Sequence, residues 1–198
     1  MKRRAFCLHL GTGGLVGLGS CAALPGSYSI DTSTADVCER ESTVTNVVQQ
    51  FAAPTDVGPD HWAAGESEPV GHLELYDSAE RARRALPLEA LPAARRDAVD
   101  AFVADTYFRN ALLLYVASVG PTPAHDTIRL CGLRVDAGTI RGRAVVPRRD
   151  DEGDDGDETY PSALVRVVAG DPRPDTARLT VETAGGVRQE FSASLAAE

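Results

Sequence analysis

The chain has 198 residues, with 20 cations against 29 acids, a net charge of −9 and 43% hydrophobic residues. That length suits one domain with a real core plus a tether. The acid excess excludes nucleic acid as a partner, because phosphates would be repelled rather than neutralised.

The N-terminus reads Met1-Lys2-Arg3-Arg4-Ala5-Phe6, followed by a weakly apolar, glycine-rich stretch from Cys7 to Gly19. A charged start, a short apolar middle and small residues near position 20 are the parts of a secretory signal. The apolar part is about half of what a membrane-crossing helix needs. Arg3-Arg4-x-Phe6 resembles the twin-arginine export signal, which serves proteins that fold before export. Leu18-Gly19-Ser20-Cys21 resembles a lipobox, in which cleavage before the cysteine leaves its thiol to carry a diacylglycerol. The expected organisation is a signal peptide over 1–20, a lipidated tether over 21–36 and a single β-rich domain over 37–198. The expected location is the extracytoplasmic face of the cell membrane, held by lipid on Cys21.

Lys2 is the only lysine and would leave with the signal, so the processed chain would set 17 arginines against 29 acids, a net charge of −12. Carboxylates hold water and hydrated cations, and concentrated salt screens their self-repulsion. The chain resembles twin-arginine-exported lipoproteins of halophilic archaea. Of the four cysteines, Cys7 would go with the signal and Cys21 would take the lipid. Cys38 and Cys131 remain as an even pair where disulfides persist. A bridge between them would contribute at most about 4 to 5 kcal/mol on the chain-entropy model; the alternative is two separate buried thiols.

Residues 22–36 are small and polar with no apolar period, as a spacer would be. Ser42 to Ala52, with Val44, Val47, Val48 and Phe51, predicts a strand, and Pro54 to Pro69 a loop. Val70 to Tyr76 alternates and predicts another strand. Asp77-x-x-Glu80 has capping-box character, and Asp77–Arg81 and Glu80–Arg84 are i,i+4 pairs, predicting a helix over 78–86. Pro92 suits the first turn of a second helix over 92–104, with Ala98, Val99, Phe102 and Val103 as its apolar stripe.

From Tyr107 onward the pattern reads as strand. Ala111 to Val119 is an almost wholly apolar run, fit for a central strand covered on both faces. Ile128 to Val135 alternates and then slips phase at Cys131-Gly132, which predicts a bulge. Asp136-Ala137-Gly138 turns into a strand over Thr139 to Pro147. Strands follow over Ala163 to Ala169, Ala177 to Thr183 and Val187 to Ala193, with Ala184-Gly185-Gly186 making the last two a hairpin. The fold class is mainly β: an antiparallel sandwich or barrel with one or two helices inserted around 78–104.

No HExxH, GxSxG, phosphate-binding glycine loop or CxxC occurs. A Ser-His-Asp site would draw on Ser118, His125 and Asp126, but adjacency in sequence does not define such a triad. His61, His72 and Asp60 would ligate a metal only if loop and strand met. Seven acids crowd Asp150 to Glu158, but a calcium loop with glycine at Gly156 would put Gly153 and Ser162 at ligand positions. No catalytic residue, metal or cofactor is assigned. Arg81, Arg83, Arg84, Arg95 and Arg96 form the only basic concentration that the sequence shows, on the helical insertion. It reads as a partner site, a contact for anionic headgroups, or a helix face paired with its own acids. Trp62 in its Pro/Gly loop is a further candidate contact.

From about Asp77 onward, a helical segment leads into Ala98-Val99-Asp100 and Phe108. An apolar strand then ends at Gly120-Pro121-Thr122, and Thr159-Tyr160-Pro161 precedes another. This half is similar to the C-terminal domain of the protease-complex accessory family called PrcB. The resemblance implies a small, non-catalytic β domain associated with an extracellular protease. The family's glycine-rich turn would fall on Pro123-Ala124-His125-Asp126, which lacks the glycines. The reading is therefore a lipid-tethered module that binds an envelope protein partner. The alternatives are a small-solute-binding lipoprotein and an envelope hydrolase.

Overall fold

A computed structural model describes residues 38, 42–53, 71–148, 156 and 158–195. The chain divides at Ser33/Thr34 into two units, and every described residue belongs to the second. The signal, the lipobox, Cys21, the tether, His61, Trp62 and all but Gly156 and Glu158 of the acidic run lie outside the described residues.

The chain runs through β1 (Asn46–Ala53), β2 (Gly71–Tyr76), α1 (Ala79–Ala85) and α2 (Ala93–Ala104). It continues through β3 (Ala111–Ser118), β4 (Arg129–Asp136), β5 (Thr139–Val145), β6 (Tyr160–Val168), β7 (Thr176–Glu182) and β8 (Arg188–Ser194). Two four-stranded sheets result, ordered β1-β6-β3-β2 and β4-β5-β7-β8. The expected β-sandwich with a helical insertion is the fold.

Alternation explains the layers. Leu112, Leu114 and Val116 of β3 point between the sheets, where they meet Leu73, Val165, Ile140 and Leu179. Leu113, Tyr115 and Ala117 point the other way, onto Val99, Val103 and Leu91 of the helical insertion. All eight residues of β3 are buried. An unbroken apolar run is what a strand with two dry faces requires. The helices thus form a third layer over the outer face of the first sheet.

Arg166 of β6 locks that layer in place. Its Nε donates to Thr106 Oγ1 at 3.0 Å and its Nη2 to the Phe102 carbonyl at 3.0 Å. The guanidinium also stands 4.6 Å over the Phe102 ring. A cation on the carbonyls that end a helix satisfies orphan acceptors and opposes the negative end of the dipole.

Four details differ from the sequence reading. The N-cap of α1 is Ser78, whose Oγ accepts from the Arg81 N–H at 3.3 Å, while Asp77 serves Arg81 as an ion pair instead of capping. In the apolar stripe of α2, Val99 and Val103 are buried but Ala98 faces solvent. The region after Tyr107 is not all strand: a turn closes from Asn110 N–H to the Tyr107 carbonyl, and Pro123–His125 is one 3-10 turn. The sandwich also contains one parallel pair, β5 with β7, because β6 leaves to join the first sheet between them.

The predicted bulge is present, with the β4–β5 register shifting between Cys131 and Arg134 and Gly132 at φ 60°. The β4–β5 turn puts Ala137 at φ 46° and Gly138 at φ 76°, the left-handed pair a two-residue hairpin demands. Cys38 and Cys131 are joined by a disulfide. Just beyond it, Thr43 N–H donates to the Leu133 carbonyl and Leu133 N–H to Ser42 Oγ. The strand predicted from Ser42 therefore starts only at Asn46, since Ser42 and Thr43 are bonded to the edge of β4. Gln50 extends the seal: its side-chain amide donates to the Ile128 carbonyl and accepts from the Ile128 N–H, as a paired peptide would.

Candidate functional site

Two surfaces gather charged side chains around open space, and they lie on different layers. The first is a groove between α1, β2 and β8. Leu75, Ala85 and Ala193 line it with Arg81, Arg84, Tyr76, Glu74 and Ser194, around a volume of about 540 Å³. β2 is an edge strand of the first sheet and β8 of the second. The groove therefore runs where two sheet edges come side by side, a place where an extended peptide can lie along a strand.

The arginines at this groove hold acids of their own helix. Arg81 Nη1 is 3.2 Å from Asp77 Oδ1, and Arg84 pairs with Glu80. Both pairs are one helical turn apart, as expected. Arg83 reaches across to Asp100 on α2 at 2.6 Å. Arg95 and Arg96 sit in the first turn of α2, the positive end of the helix, which disfavours cations. Arg96 turns back to the carbonyls of Glu89 and Leu91, each at 3.1 Å. Of the expected partner surface, Arg81 and Arg84 are brought to one groove, and Arg95 and Arg96 lie on the other helix.

The second surface is the outer face of the second sheet. Its inner side carries Leu133, Ile140, Ala144, Ala177, Leu179 and Val181 in the core. By alternation its outer side carries Arg129 and Arg134 of β4, Arg141 and Arg143 of β5, Arg178 of β7 and Arg188 of β8. Among the described residues of these strands the acids on that side are Asp136, Glu182 and Glu190. In the ladder Arg134 stands opposite Arg141, and Arg141 opposite Arg178. Three arginines thus stand abreast on adjacent strands, about 4.8 Å apart per step.

Glu182 is shared by Arg188 at 2.9 Å and Arg143 at 3.6 Å, and Arg178 is 3.8 Å from Glu190. Arg141 Nε lies 3.6 Å from Asp136, beyond hydrogen-bonding distance, and makes no hydrogen bond. The sequence reading missed this second basic concentration. The signal was an arginine at the non-core phase of each strand, but their grouping needs the strand order, including the unforeseen parallel pair.

Polar chemistry elsewhere is tied into structure. On β2 and β3, beneath the helical layer, His72 Nε2 lies 3.1 Å from Glu74 Oε1 and its ring meets Tyr115 edge-on at 5.8 Å. The Tyr76 hydroxyl donates to Glu74. Burial, then the bond to Glu74 and its charge, raise the Tyr76 phenol far above its ordinary value. Burial pushes Tyr115 up to about 12, against the lowering effect of Ser162 at 3.5 Å. Both phenols are therefore neutral, which suits a packed and hydrogen-bonded wall.

The residues imagined as a triad are not assembled as one. His125 is buried in the 3-10 turn with Nδ1 2.9 Å from Thr122 Oγ1, so a hydroxyl engages the nitrogen that a triad would give to its acid. Thr159 Oγ1 clamps the same turn through the His125 carbonyl at 2.9 Å. Gly120 passes so close that a Cβ there would lie 2.3 Å from that carbonyl oxygen. A shallow groove of about 350 Å³ beside His125 is lined by Pro121, Val146, Arg148, Ala184 and Gly185, with no nucleophile among them. Among the described residues no three His, Cys, Asp or Glu side chains are grouped to hold a metal, and no helix is long and apolar enough to cross a membrane. Comparison with known proteins finds no matching family model, no matching curated protein and no matching solved structure.

Proposed function

We propose that this protein is a lipid-anchored, extracytoplasmic binding module that holds a segment of an envelope protein partner without chemistry of its own. The observation that carries the reading is the groove where Arg81 and Arg84 stand over an apolar floor between two strand edges. An extended segment laid there would meet Leu75, Ala85 and Ala193 with its apolar side chains. Its acids would compete for the guanidinium of Arg84, held by an exposed pair to Glu80, and that of Arg81, held by a part-buried pair to Asp77. The twin-arginine and lipobox motifs supply the export and the anchor at Cys21. The PrcB resemblance of the C-terminal half favours an extracellular protease as the partner.

A photo-crosslinking residue at Ala85 in the native envelope, at high salt, tests this reading. One recurrent protein adduct is expected, mapping to β2, α1 and β8, and it should be lost when Arg81 and Arg84 are changed to Glu. No recurrent adduct, or one indifferent to that charge reversal, would count against the groove. In the same cells Cys21→Ser should move the protein from the membrane to the medium, and retention of that variant on the membrane would defeat the anchor.

A further inference from the structure

We infer that the arginine face of the second sheet docks on the anionic phosphate headgroups of a lipid bilayer, and so sets which way the anchored domain points. Charge is the first ground. On the four described strands six arginines share one sheet face with three acids, in a chain whose net charge is −9. Like charges directly opposite each other across strands destabilise a sheet. The row Arg134, Arg141, Arg178 breaks that rule twice over, and nothing in the fold requires it. A feature that costs stability without a folding role marks a contact surface.

The disulfide is the second and independent ground. Cys131 stands opposite Arg143 in the ladder, so its side chain projects from the arginine side of β4. Cys38 is bonded to it there, with the two Cα atoms 5.3 Å apart. Cys38 is therefore fastened to this face, and Ser42 and Thr43 pass along the β4 edge into β1. Cys21 lies seventeen residues before Cys38. A lipid on Cys21, which this part of the inference takes from the proposed anchor, is thus followed in sequence by a cross-link that lies on the arginine side.

The chemistry of the face favours headgroups over a protein. Protein interfaces are anchored by buried aromatic side chains, and the four strands present none on this side, which carries arginines, hydroxyls, three acids, Val145 and the Cys131 disulfide. Guanidinium groups bind phosphate through paired N–H donors and are more weakly hydrated than ammonium groups. That distinction matters in concentrated salt, where the Debye length falls to about 3 Å and only contact-range recognition survives. A chain whose cations beyond the signal are all arginine has the side chain suited to that regime.

The test uses the full chain carrying Cys21→Ser, so that no lipid contributes, with its disulfide and circular dichroism spectrum checked on the same sample. It is sedimented in molar potassium chloride with vesicles of phosphatidylcholine alone, or of phosphatidylcholine mixed with phosphatidylglycerol. Retention is expected on the mixed vesicles only. The combined Arg134→Gln, Arg141→Gln and Arg178→Gln variant should weaken it roughly tenfold or more. Thr180→Glu, which adds a carboxylate to the same face, should weaken it too. Arg81→Gln with Arg84→Gln should leave it unchanged. Equal retention on both vesicle types, indifference to the triple variant, or capture by polyglutamate but not by vesicles would overturn the inference. Because lipidation plays no part in this assay, failure of the anchor reading shows only in the Cys21→Ser membrane fractionation.

Discussion

The two sheets are built from the same number of strands but are used in opposite ways. The first has a central strand dry on both faces: β3 gives Leu112, Leu114 and Val116 to one side and Leu113, Tyr115 and Ala117 to the other. The second is dry on one face only, and its wet face collects arginine in place of the mixed charge a merely solvated surface would carry. The first sheet shows what stability asks of a strand, apolar residues wherever a layer covers it. The second shows charge placed where stability gains nothing from it. The contrast separates the part of the molecule that holds the fold from the part free to serve contact.

The largest expected effect comes from the one covalent link on the wet side. Replacing Cys38 and Cys131 by serine frees a loop closed over a separation of 93 residues. A loss of up to about 4 to 5 kcal/mol is expected in denaturant titration at high salt. A loss near zero would mean that the segment before β1 is held by Ser42, Thr43 and Gln50 alone. Next come Leu113→Ala and Leu114→Ala, which empty the two faces of β3. Each should cost about 2 to 5 kcal/mol. A mild Leu113→Ala beside a severe Leu114→Ala would show that the helical layer is a loose cover.

Alkaline titration sharpens the same point. Burial raises Tyr76, and brings Tyr115 to about 12 from an ordinary value of 10.0. Between pH 10 and 12 the unfolded chain releases phenolic protons that the folded chain keeps. Stability should therefore be complete below pH 10 and fall as pH rises through that window, by on the order of 2 to 3 kcal/mol for Tyr115. Tyr115→Phe should flatten the fall, and an unchanged slope would place its cause elsewhere. The smallest effect belongs to the wet face: Arg141→Gln should change stability by no more than about 0.5 kcal/mol, or raise it slightly by relieving repulsion. A loss of several kcal/mol would make the arginine row part of the fold's support.

Much of this layout was legible one strand at a time. The apolar run in β3 foretold a doubly covered strand, the phase slip at Cys131-Gly132 foretold the bulge, and the lone cysteine pair foretold the disulfide. The first two are local signals, while the cysteine pair, which also allowed two separate buried thiols, is a matter of count and compartment. The helix arginines were legible in the same way, and their i,i+4 acids duly hold Arg81 and Arg84. What stayed hidden depends on which strands become neighbours. Arg141 and Arg178 meet only because β6 crosses to the other sheet and leaves β5 and β7 parallel. No period in either segment records that crossing. The groove was hidden for the same reason, since β2 and β8 are separated by most of the domain in sequence and meet only at the sheet edges.

The polarity of the domain on its membrane is the most direct thing to measure. Single fluorophores at Ser192→Cys, on the exposed arginine side, and at Ala98→Cys, on the exposed side of α2, would be read in the lipidated protein on anionic bilayers carrying a headgroup-attached quencher. Strong quenching at position 192 and weak quenching at position 98 is the expected result. Equal quenching at both sites, or the reverse order, would contradict a domain that turns its arginines to the lipid and its groove to the partner.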